Sequence, residues 1–257
     1  MAFCELHYFS NALSKQTAAH VFLPEGKAKG PFPVFYLLHG LSDDHTIWQR
    51  RTSLERHLEG LPLIVVMPDG GRGFYCDAVE GFAYQTALAR DLVNFIDATF
   101  HTKAERKGRC IGGLSMGGYG AIKLALQYPG LFVSAHSHSG AMGYGHTVRA
   151  DWPESQWPEA KRILGPHFKG GGPNDLYLLA EKVKKAPKSK RPGLWIDCGT
   201  EDFLLVENRA FHAHLKKIGL PHTYKEFPGA HDWSYWDLHI REALAFHAKH
   251  LGLDYRG

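Results

Sequence analysis

Residues 111–126, IGGLSMGGYGAIKLAL, set one serine, Ser115, among Gly112, Gly113, Gly117, Gly118 and Gly120, and then turn into a helix-forming run. Glycine weakens strands and helices alike, so this density needs a steric cause. A backbone bent so sharply that side chains would collide supplies one. The apolar run GRCIGGL before the serine reads as a strand, and 116–128 as a helix closed by Pro129. A serine at the apex of a strand–turn–helix bend is exposed and strained, and the free N–H groups of the helix start favour negative charge developing beside it. The alternative, a glycine-rich turn with an incidental serine, leaves this context unused.

Working outward, the apolar runs FPVFYLLHG (32–40) and LPLIVVMPDG (61–70) have the continuity of strands buried on both faces. FVSAHSHSG, GLWIDCGT and HTYKEFPG supply three more strands. SLERHLEG, 84–99, FLLVENRAFHAHLKKIG and DWSYWDLHIREALAFHAKHLG read as helices between or after them. FCELHYFS and AAHVFLPEG form an antiparallel opening. Alternation of this kind predicts an α/β architecture, a mostly parallel sheet with helices on both faces. One stretch, 141–192, breaks the rhythm with several Gly and Pro, Trp152, Trp157 and the run KVKKAPKSKR. It is read as a cap-like insertion over the sheet edge within a single domain spanning 1–257, the lysines as a solvated helix end and loop.

Composition narrows the function classes. At 257 residues the chain fits one large α/β domain, and a formal charge of +4 gives no reason to invoke nucleic acid or an acidic membrane. Cys4, Cys76, Cys110 and Cys198 are widely spaced with no CxxC pair, which favours a reduced, cytoplasmic setting. The N-terminal MAFCELHYFSNAL has no signal-peptide pattern, and no apolar run reaches membrane-spanning length. Self-association is left open.

Gly113–Gly117 matches the GxSxG elbow of the α/β-hydrolase fold in its required strand–helix context. A serine nucleophile needs a base, and the base an orienting carboxylate, in the chain order Ser, Asp or Glu, His, on loops at the strands' carboxyl ends. WIDCGTEDF offers Asp197, Glu201 and Asp202. Asp197 lies inside the strand; Asp202, just before the next helix, is favoured over Glu201. His231, on the loop after the last strand, is the expected base, whereas His222 precedes that strand. Backbone N–H groups of Met116 and Leu41 are the expected oxyanion donors, with His39 and Gly40 turning their loop towards substrate, and Trp152 and Trp157 are placed near the substrate pocket. His136 with His138, and His212 with His214, lack the carboxylates or cysteines at ligand spacing that a metal site requires. No metal is expected, and no cofactor: GxGxxG and P-loop patterns are missing from the sequence.

The segments YLLHGLSDDHTIWQRRTSLERHL, LIVVMPDGGRGFYCD, IGGLSMGGYGAIKLAL, CGTEDFL and GAHDWSYW together resemble the esterase D-like carboxylesterases. The likeness covers about 1–140 and 193–250 and is nearest the tributyrin esterase branch, with S-formylglutathione hydrolases, feruloyl and acetylxylan esterases and mycolyltransferases as relatives. It implies a nucleophile at Ser115, an acid at Asp202, a base at His231 and oxyanion donors at Leu41 and Met116. It also implies a small-molecule ester substrate with a short acyl chain. The loop LSDDHTIW lacks the Cys-Thr segment associated with S-formylglutathione hydrolases, which disfavours a dedicated glutathione thioester. An acyltransferase, or a non-catalytic binding protein on the same fold, are the alternatives.

Overall fold

The computed structural model describes residues 1–26, 28–146 and 158–255. Its eight strands are β1 (Ala2–Ser10), β2 (Lys15–Leu23), β3 (Val34–Leu38), β4 (Ile64–Pro68), β5 (Arg109–Gly113), β6 (Ser134–His138), β7 (Gly193–Gly199) and β8 (Thr223–Phe227). They form one sheet in the order β1-β2-β4-β3-β5-β6-β7-β8. β1 and β2 pair antiparallel from Ala2 opposite Leu23 to Ser10 opposite Lys15, and β2 joins β4 antiparallel. Every neighbour from β4 across to β8 is parallel.

The apolar runs account for this. β3, β4, β5 and β6 are buried along their whole length, as strands covered on both faces must be. Successive side chains alternate between the faces. Val34, Tyr36, Leu38, Ile64, Val66 and Ile111 point into one core, and Phe35, Leu37, Val65, Met67 and Cys110 into the other.

The helices that fill the two layers are α1 (Ile47–Arg51), α2 (Leu54–His57), α3 (Tyr84–Thr86), α4 (Val93–Thr99), α5 (Met116–Gln127), α6 (Pro158–Leu164), α7 (Leu176–Lys185), α8 (Leu205–Ile218) and α9 (Trp233–Leu251). A π-helical turn, Ala87–Leu92, joins α3 to α4, so the periodic segment 84–99 is helical throughout. α1, α2 and α9 share a core with Phe35 and Leu37, while α5, α7 and α8 lie on the opposite face. Trp48 in α1 is fully buried and donates its indole N–H to the Leu38 carbonyl at 3.0 Å. Burying a side chain of that size contributes about 1.5–3 kcal/mol, and it ties the loop after β3 to the sheet.

The segment expected as an insertion contains a helix that serves the core fold. Parallel β6 and β7 need a crossover, and α7 supplies it, packed against α5 and α8. Asp175 caps α7 by accepting the Tyr177 amide at 2.8 Å. Lys182, Lys184 and Lys185 fall in its last turn, with the Lys184 ammonium on the Gly219 carbonyl. Trp152 and Trp157 lie outside the described residues.

Candidate active site

Ser115 sits between the end of β5 and the first turn of α5 at φ 52°, ψ −117°, a region that costs about 1–3 kcal/mol for a residue with a side chain. The glycines on either side make the bend sterically feasible. A Cβ on Gly113 would meet the Leu38 carbonyl oxygen at 2.6 Å, and one on Gly117 would meet the Leu38 and His39 oxygens at 2.6 Å. All these are backbone atoms that cannot step aside. The Ser115 amide donates to the His138 carbonyl at 2.9 Å, which fixes the turn to β6.

His231, on the loop between β8 and α9, brings Nε2 to 3.0 Å from the Ser115 hydroxyl. Its Nδ1 lies 2.8 Å from Oδ2 of Asp202, whose side chain is fully buried at the end of β7. With the hydroxyl donating to Nε2, Nδ1 carries the proton and donates it to the carboxylate. Burial opposes the Asp202 charge, but His231, the Leu204 amide and the Ser139 hydroxyl outweigh it, so the carboxyl sits below its ordinary value of 3.8. Glu201 does something else. It accepts the Gly229 amide at 2.5 Å while its own amide donates to the Gly229 carbonyl, clamping the loop that delivers His231. Asp202, not Glu201, is therefore the carboxylate beside the imidazole.

A cavity of about 410 Å³ opens over the serine. Gly40, Leu41 and Met116 line it together with Ser115 and His231. Among the described residues neither the Leu41 nor the Met116 amide has an acceptor, so both are free to donate to a ligand. Phe74, Phe203, Trp233 and Trp236 wall the same space, and Asp43 and Asp232 also line it, the Asp232 carboxylate capping α9 by accepting the Tyr235 amide at 3.0 Å. Burial raises the Asp43 carboxyl above its ordinary value despite His39 and the Gly40 amide. Trp236 sets its ring perpendicular to His231 at 5.0 Å and donates to Ser139 at 3.3 Å.

His39 is not part of that lining. It is buried, its Nε2 accepting the Gly70 amide at 2.8 Å and its Nδ1 donating to the Gly40 carbonyl at 2.7 Å. A ring with both nitrogens on backbone holds two loops together and has nothing left for substrate. The aromatic wall escaped the sequence reading, although GAHDWSYW contains half of it: Trp233 and Trp236 lie three apart on one helix, hence on one face. The other histidines considered for metal are placed in hydrogen bonds, His136 with His247, His138 with Asp197, His212 with His222, and His214 with the Tyr177 carbonyl.

Among the described residues no helix is long and apolar enough to cross a membrane. The Esterase family model matches residues 10–247. An acetyl esterase of Caldicellulosiruptor saccharolyticus is 29% identical over 97% of this chain and 99% of its own length. Among solved structures, FphF, a fluorophosphonate-binding serine hydrolase of Staphylococcus aureus, superposes with a TM-score of 0.86 at 30% identity, covering 96% of this chain and 98% of that one. The S-formylglutathione hydrolase FrmB of the same organism gives 0.83 at 30% identity, with the same coverage. With its eight-stranded, mostly parallel sheet and helices on both faces, the chain has the α/β-hydrolase fold, belongs to the Esterase family, and is a carboxylic ester hydrolase.

Proposed function

We propose that the chain hydrolyses short-chain acyl esters through an acyl-enzyme on Ser115. The observation that carries this reading is the line of hydrogen bonds from Ser115 to His231 to Asp202, 3.0 and 2.8 Å, opening into a walled cavity. As the Ser115 oxygen bonds to the ester carbonyl carbon, its proton passes to Nε2 of His231. The imidazolium so formed is stabilised by the Asp202 carboxylate. The carbonyl oxygen, now carrying the charge, is met by the amides of Leu41 and Met116, a contribution on the order of 2.7–4 kcal/mol per donor. Collapse expels the alcohol, protonated by His231, and water then repeats the cycle on the acyl-serine.

The acetyl esterase among the relatives supports a short acyl group, as does a cavity bounded by Phe74, Phe203, Trp233 and Trp236. Each methylene that fits adds about 0.8 kcal/mol. Once the space is full, a further carbon stays in water or pushes the carbonyl off its donors, where a shift of about 1 Å costs about 100-fold. The test is an acyl series on one alcohol. kcat/KM should rise modestly from acetate to about butyrate and then fall steeply, and a rise sustained through ten or more carbons would overturn the short-chain reading.

The S-formylglutathione hydrolase likeness makes a thioester the competing substrate. Asp43 and Asp232 at the cavity argue for an ester with a neutral alcohol, because glutathione brings two carboxylates against them. S-formylglutathione belongs in the same series, and a large preference for it would move the assignment. The four free cysteines, three of them buried, fit a reducing, cytoplasmic setting.

A further inference from the structure

Glu5 on β1 stands directly opposite His20 on β2, so the two side chains leave the sheet on the same face. His45, from the loop between β3 and α1, reaches the same spot and sets its ring perpendicular to His20, centroids 4.9 Å apart. One ligand-capable atom from each of the three lies within 4.8 Å of the others. Both imidazoles bring a buried nitrogen without a hydrogen-bond partner, Nδ1 of His20 and Nε2 of His45. A buried polar atom left unpaired costs about 1–3 kcal/mol, and two on neighbouring perpendicular rings, with a carboxylate in the same cluster, point to something that binds among them.

We propose that Glu5, His20 and His45 bind one divalent transition cation of the zinc class, which pins the loop carrying Leu41 to the β1–β2 hairpin. Two imidazoles and one carboxylate are a ligand set for zinc and its neighbours, whereas magnesium and calcium prefer oxygen alone. His20 is 6% exposed. Gln49 sits against its ring, where it orients the imidazole as outer-shell partners do. Glu5 is exposed and its present partner is the exposed His7 at 3.4 Å. Such a pair contributes about 0–1 kcal/mol, so the carboxylate is free to swing. Zinc bonds of about 2.0–2.2 Å require the donors to draw in from their present spacing, and the flexible Glu5 can supply most of that movement. Water would complete the coordination.

None of the three residues lines the cavity over Ser115, so the ion takes no part in the ester chemistry. Its effect is on the loop, because His45 follows Leu41 by four residues. The proposal stands whether or not the triad assignment does.

The test uses chelator-treated full-length protein. Zn²⁺ should bind with one strong site and raise Tm by about 5–10 °C at a hundredfold excess over Kd, while Mg²⁺ gives no shift. Co²⁺ in its place should show the visible absorption of a low-coordinate, imidazole-ligated ion. Glu5→Gln and His45→Gln, each made alone, should weaken binding by about 100-fold or more and abolish the cobalt spectrum, with basal ester hydrolysis by Glu5→Gln unchanged. His212→Gln, which breaks a histidine pair elsewhere, should bind like the parent. Absence of a strong zinc site in the parent, or parental affinity in both Glu5→Gln and His45→Gln, overturns the proposal.

Discussion

Two of the histidine–aspartate pairs share nearly the same geometry, and only one of these two stands beside Ser115. His231 meets Asp202 at 2.8 Å, and His138 meets Asp197 at 2.8 Å. The first pair lies on loops beyond β7 and β8, its imidazole 17% exposed and 3.0 Å from Ser115. The second lies inside β6 and β7, with both side chains fully buried. Asp197 also accepts the Trp195 indole N–H at 2.6 Å and the Tyr235 hydroxyl at 2.9 Å, so its charge is satisfied from three directions. Nε2 of His138, the position that would have to take a proton, is buried without a partner. The relay we propose thus falls on the pair that lies where the sheet ends and a third group can reach it. Within the strands the same bond is a brace: the backbone of His138 accepts the Ser115 amide, and that of Asp197 accepts the Ser139 amide.

The largest expected effect tests the first pair's unity with the serine. Ser115→Ala or His231→Ala should lower turnover by about 10³–10⁶-fold, the double variant falling little below the worse single one. Near-additive losses would show that the two groups do not share a step. Fluorophosphonate labelling should vanish in Ser115→Ala; labelling retained at another residue would relocate the nucleophile.

Exchanging the carboxylates separates relay from brace. Asp202→Asn should cost about 10²–10⁴ in kcat, because the amide supports the wrong tautomer of His231, with only a modest change in Tm. Asp197→Asn should show the reverse. Its amide puts a donor where the carboxylate accepts from His138, Trp195 and Tyr235, and an unpaired buried group costs about 1–3 kcal/mol, or about 2–12 °C in Tm at this size, while the protein that remains folded keeps kcat within about tenfold. Equal losses of activity from both would dissolve the distinction.

The same contrast explains what the sequence made legible. Asp197 could be set aside because WIDCG is a continuous apolar run, and a residue inside it points into the sheet's flanking layers instead of over its edge. Asp202 and His231 were readable because a strand end followed by a helix start is visible in one dimension. Glu201 remained an alternative, since adjacent residues after one strand differ only in which way the turn sends them, and the Gly229 contacts that hold Glu201 come from another loop. The contact that His39 makes was hidden for a related reason. Its neighbour Gly70 follows β4, and no local pattern records that the two loops meet. The crossover role of α7 was hidden in a segment whose Gly, Pro and Lys content resembles an insertion, although Leu176, Leu179, Ala180 and Val183 mark its buried face at helical spacing. The Glu5, His20 and His45 group needs the β1–β2 register and a third chain segment, so nothing in the order of residues announces it.

The smallest effect concerns pH and isolates the Asp202 charge. Its carboxyl is held below the ordinary 3.8 in the folded protein, while the unfolded chain offers a carboxyl near 3.9. Between those two values the unfolded state binds the proton that the folded state refuses. The stability this charge contributes is therefore fully present above about pH 5 and is lost as pH falls through the folded value. Asp202→Asn lacks that contribution at every pH. The Tm difference between the parent and Asp202→Asn should then be constant from pH 7 to about 5 and should shrink below about pH 4. A difference that widens on acidification would mean that the carboxyl is raised, as burial alone would have it, and that His231 and the Leu204 and Ser139 donors do not outweigh the desolvation of this buried group.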